Sequence, residues 1–195
     1  MLYNGRTEGA QPRLLRPVLL GASLAFLLAA DIALIAQTGQ MAGDLSQGLD
    51  AATLHDVLTT SAFGHSIVAR AAAGFVALVL LLRLGPGRRY WRTLAGLGAI
   101  GLGALAWDGH GAADPGVAGW VHTAADVIHL LAAGAWLGAL LCLGLLLTSG
   151  APPGTQHEAL KGFSGIGSVV VAALGCIGVH MALVRFEKMR EARHA

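Results

Sequence analysis

The chain has 195 residues, of which 55% are hydrophobic and 12% charged, with 28 glycines and a net charge of +2. Soluble domains carry about 25% charged residues, so an ordinary soluble enzyme, a disordered chain and a disulfide-rich secreted scaffold are all excluded. No basic stripe on a polar face offers a nucleic-acid surface, and Cys142 and Cys176 both lie in apolar runs, where they make no disulfide framework.

A helix needs roughly 20 apolar residues to cross the hydrocarbon of a bilayer. In chain order, the first such stretch is 17–36, preceded by Arg6, Arg13 and Arg16. It is too long for a signal peptide and no A-x-A cleavage site follows it. The second is 66–84, interrupted by Arg70. The third, 90–107, is short and glycine-dense. The fourth, 121–148, is the longest and carries His122, Asp126 and His129 in its first third. The fifth, 162–184, contains Cys176 and His180. The expected architecture is all-α: a single membrane domain over 1–195, built as a polytopic transmembrane helix bundle of about five spans in the lipid bilayer.

Arginine and lysine placement sets the orientation. The N-terminal segment and the loop bearing Arg88, Arg89 and Arg92 are basic. The 38–65 and 108–120 loops have no Arg or Lys and carry Asp44, Asp50, Asp56, Asp108 and Asp114. This predicts a cytoplasmic N-terminus and outward-facing acidic loops. Five spans then put the C-terminus outside, against the basic tail with Arg185, Lys188, Arg190 and Arg193. Inside the spans, Asp31 and Arg70 both fall in the outer half, and an ion pair between the first two spans is expected to mitigate the cost of each. Gly134-x-x-x-Gly138 reads as a helix-packing motif and Trp136 as core.

Six of the eight histidines map to the outer half: His55, His65, His110, His122, His129 and His180. His157 falls on the inner side. His122, Asp126 and His129 are spaced i, i+4, i+7, which at about 100° per residue gathers them within an arc of roughly 60° on one helix face. Neutral imidazoles ligate copper, zinc, iron or nickel, and a carboxylate ligates or orients a ring nitrogen. Single histidines at a span end are at home at the headgroup level. An aligned pair with Asp126, and with His110 in the preceding loop, points instead to a metal site, because intramembrane ionisable groups are costly and mark function. Met41 and Met181 are too few for a thioether-lined copper pore.

The segments TTSAFGHSIVAR at 59–70, DGHGA at 108–112, HTAADVIHLLAAGAWLGALL at 122–141 and FSGIGSVVV at 163–171 together resemble the copper resistance protein D family of bacterial inner-membrane proteins. Members are longer, with more spans, so the resemblance implies a shortened one. It also implies copper resistance, import or homeostasis, with a copper ion as the bound metal and a periplasmic copper carrier as a partner. His110, His122 and His129 are then the expected ligands, Asp126 a ligand or orienter, and His55, His65 and His180 secondary donors. Two other readings compete. A haem b cytochrome would take axial ligands from His129 and His180; a non-metal membrane scaffold would take none. With no nucleophile–base constellation and no phosphate loop, enzymatic activity is not expected.

Overall fold

The computed structural model describes residues 14–85, 87–108 and 117–192. These form six α-helices, α1 (Leu15–Ala42), α2 (Ala51–Thr60), α3 (Ala62–Arg83), α4 (Arg88–Ala104), α5 (Val117–Thr148) and α6 (Pro153–Ala192), with 3-10 turns at Leu45–Leu49 and Leu105–Asp108. No strand occurs among the described residues. The chain divides into two compact units at Leu130/Leu131, so α5 begins in the first and ends in the second.

Among the described residues, four helices have spanning length and composition: α1, α3, Gly119–Thr148 of α5 and Pro153–Cys176 of α6. The expected span at 90–107 is realised as α4, whose 17 residues rise only about 25 Å, short of the ~30 Å hydrocarbon thickness. The 3-10 turn that follows it adds Leu105–Asp108. The basic tail does not separate from the fifth span. α6 runs unbroken to Ala192, so Lys188 and Arg190 continue the same 40-residue helix.

In the first unit, α3 packs between α1 and α4. Small residues permit the close approach. A Cβ at Gly74 would stand 3.0 Å from Leu27 Cδ2, and one at Gly101 would stand 3.0 Å from Phe26 Cζ. At one end, Arg16 donates from Nε and Nη2 to the Leu81 carbonyl, at 3.0 and 2.8 Å, placing a cation on the carbonyls that end α3. At the other end, α1 stops at Gly43, whose φ of 77° and N–H bond to the Gln40 carbonyl close the helix. The chain then folds back along α1, bringing Gly48 against the Ile35 carbonyl. Leu24, Leu28 and Ile32 are exposed on α1. In a span such residues meet lipid tails, which are as apolar as they are.

The two ends differ in charge. The basic end carries Arg16, Arg83, Arg88 and Arg89; the acidic end carries Asp44, Asp50, Asp56 and Asp108. Asp44 and Asp50 begin short helices, accepting from the Ser46 and Thr53 amides at 2.9 and 2.8 Å. These backbone hydrogen bonds, with smaller contributions from side-chain bonds to the same residues, hold both carboxyls below the ordinary aspartate range.

Candidate metal site

The acidic end of α3 is built by a sharp corner. The Ser61 hydroxyl accepts from the Gly64 amide at 2.8 Å and donates to the Val57 carbonyl at 2.7 Å. Gly64 is pressed against the Val57 carbonyl and Leu58, so no side chain fits there. This corner sets His65 on the first turn of α3. The ring is exposed, with Nε2 3.2 Å from the Thr59 carbonyl. A carbonyl can only accept, so this contact makes Nε2 the donor and leaves Nδ1 as the free donor atom for a metal.

One residue further on, α3 makes a polar contact with the end of α4 and the turn after it. Ser66, 5% exposed, lies 2.7 Å from the Ala104 carbonyl and 2.9 Å from Asp108 Oδ1. One turn below, Arg70 Nη2 lies 2.8 Å from Asp108 Oδ2, with side-chain exposures of 5% and 25%. This is an ionic contact that lacks hydrogen-bond angles, and Arg70 Nε also has no hydrogen-bond partner among the described residues. The expected Asp31–Arg70 pair is therefore corrected. Asp31 is exposed on α1, and Arg70 pairs with Asp108. The reason is rotational: Ser66 and Arg70, at i and i+4, share one face of α3, and Ser66 shows that this face is turned to α4.

On α5, the residues packed most tightly are Gly119 and Thr123, both buried. Around the helix from their mean direction, Asp126 lies about 40°, His122 about 80° and His129 about 100°. Accordingly His122 and Asp126 are half-buried and His129 is exposed. Val127 stands beside Gly103, where a Cβ would lie 3.8 Å from its Cγ1. A groove of about 470 Å³ opens here between α3, α4 and α5. Its walls are mostly apolar, among them Ala69, Ile100, Gly103, Trp107 and Val127, with His65 and Ser66 the polar members.

The remaining expected donors are dispersed. His55 is exposed on α2, its carbonyl accepting from Thr59 Oγ1 at 2.8 Å. His110 lies outside the described residues, and His180 belongs to α6 with its side chain outside them. His157 is exposed near the start of α6. Among the described residues, no three His, Cys, Asp or Glu side chains converge as a metal cage. The Ser66–Asp108–Arg70 cluster escaped sequence reasoning, although the i, i+4 spacing of Ser66 and Arg70 beside an acidic loop was the available signal.

Among the described residues, four apolar helices of spanning length define a polytopic α-helical membrane protein. The family described as Copper resistance protein D-like, N-terminal domain, matches residues 2–120. A protein of Pseudomonas syringae pv. tomato named Copper resistance protein D is 31% identical over 173 residues, covering 84% of this chain and 55% of that protein. The chain belongs to the copper resistance protein D family. It spans about half the length of this curated relative, 55%. No solved structure matches the chain.

Proposed function

We propose that this protein handles copper as cargo at the acidic end of its bundle, in a bacterial inner membrane with its N-terminus in the cytoplasm. The observation that carries this is the His122–Asp126–His129 face on α5, in a chain that belongs to a copper resistance family. In this reading His122 and His129 donate imidazole nitrogens, and Asp126 ligates the ion or orients a ring. His110, between α4 and α5 in the sequence, is a further donor in this reading. His65, with Nδ1 left open by its contact to Thr59, is a secondary donor, as are His55 and His180. Each donor set suits copper by ligand type. Orientation follows the arginine asymmetry, with the basic end inside, and the acidic end then faces a periplasmic carrier that delivers or takes the ion.

The test is copper binding to the purified full chain, measured by metal content and titration, for the parent and for His122→Ala and His129→Ala. Stoichiometric copper in the parent, weakened in both variants, supports the reading. Equal copper in all three removes α5 from the site; no copper in the parent overturns the function. An absorption spectrum of the same sample shows a Soret band only if the histidines hold haem instead.

A further inference from the structure

We propose that the basic end of α3 and α4 is a binding site for the phosphate headgroup of an anionic phospholipid. Arg83 ends α3, Arg88 begins α4, and Arg89 and Arg92 follow within its first five residues. All four are exposed, and none enters an ion pair among the described residues. The stretch 57–107 contains no aspartate or glutamate at all, so α3 and α4 supply no carboxylate to neutralise them.

The arrangement is unfavourable by itself. Arg88 and Arg92 are like charges at i, i+4, which repel on a helix surface. Arg88 and Arg89 also stand in the first turn, where the helix dipole disfavours cations. An anion shared among the guanidinium groups removes both costs, and arginine forks suit phosphate oxygens. The depth points to a lipid as the source. The cluster sits where a membrane-spanning helix ends, beside Trp91, whose ring packs edge to face at 5.0 Å on the buried Tyr90. Aromatic residues of this kind mark the headgroup level of a bilayer. A phosphate offered at that level belongs to a phospholipid, and a lipid without a headgroup cation leaves that phosphate's charge uncompensated for the guanidinium groups.

The test uses Trp91 as the reporter in the full chain, with Trp107, Trp120 and Trp136 replaced by phenylalanine. The protein is reconstituted in phosphatidylcholine vesicles containing phosphatidylglycerol, with one or the other lipid brominated on its acyl chains. Quenching of Trp91 then reports which lipid sits beside it. The expected result is a phosphatidylglycerol preference of about fivefold or more, the factor one arginine contributes beside an anionic surface. The preference collapses at high salt and in the Arg88→Gln/Arg89→Gln/Arg92→Gln variant, and largely survives in the corresponding lysine variant. Equal quenching by both lipids in the parent overturns the proposal and leaves the arginines a role in orientation alone. Displacement by millimolar inorganic phosphate also overturns it, in favour of a site for the free anion. Should the glutamine variant misfold, the parent's lipid preference and its salt dependence decide the matter.

Discussion

Replacing Asp108 by alanine strands the Arg70 guanidinium inside the bundle. Arg70 is 5% exposed and Asp108 25%, and Arg70 Nε has no other partner to fall back on among the described residues. Cutting one member from a fully buried pair costs about 3–5 kcal/mol. The quarter of Asp108 that reaches solvent places this pair at the lower end, about 3 kcal/mol. Ser66 retains the Ala104 carbonyl at 2.7 Å, so little is added from that side. Arg70→Ala is expected to cost a similar amount. The double variant should be less damaged than the sum by about 2 kcal/mol, within the range of couplings measured for contacting residues. Asp31→Ala should show no measurable coupling to Arg70→Ala, because Asp31 is exposed on α1 and Arg70 is paired with Asp108. The assay is unfolding by sodium dodecyl sulfate in mixed micelles, followed by circular dichroism. Strict additivity of Asp108→Ala and Arg70→Ala, or a larger coupling of Arg70 to Asp31 than to Asp108, would refute the pairing.

Gly64→Ala forces a methyl into the Val57 carbonyl and Leu58 backbone and should lower stability by about 1–3 kcal/mol. Gly96→Ala, with open space around it, should leave stability unchanged or raise it by up to about 1 kcal/mol in the same unfolding assay. Asp126→Asn should weaken copper binding by about 10–100-fold if it orients a ligand, less than loss of His122 or His129, while His157→Ala should not change the titration. Moving a histidine by two residues, with His129→Ala and Leu131→His together, turns it about 200° around α5; binding equal to the parent's would sink the single-face argument. Asp44 and Asp50 are held below the ordinary aspartate range, so their capping contribution is complete above the unfolded-state value and is lost as pH falls through the lower folded value. Amide exchange at Ser46 and Thr53 should therefore show extra opening only in acid, once the intrinsic exchange rate is allowed for; protection independent of pH down to full protonation would count against the caps.

The membrane class, the helical architecture and the long spans follow from the chain itself, because a bilayer demands runs of apolar residues of a length that composition alone reveals. The alignment of His122, Asp126 and His129 is equally local, since a helix of known pitch brings i, i+4 and i+7 together whatever surrounds it. The partner of Arg70 was not local. Arg16 meets Leu81 and Leu27 meets Gly74, so along these antiparallel helices Asp31 does fall near the level of Arg70, as depth counting suggested. What depth cannot supply is the rotation of each helix about its own axis. Here the rotation is set by close-packed glycines, Gly74 toward α1 and Gly101 toward Phe26, and by the Ser66 bond to Ala104. Together they turn Arg70 toward α4 and the turn ending at Asp108, and leave Asp31 exposed. The rotation of α5 about its own axis, with Gly119 and Thr123 on its packed face, likewise leaves His122 and Asp126 half-buried and His129 exposed, a difference that their spacing in the sequence does not contain.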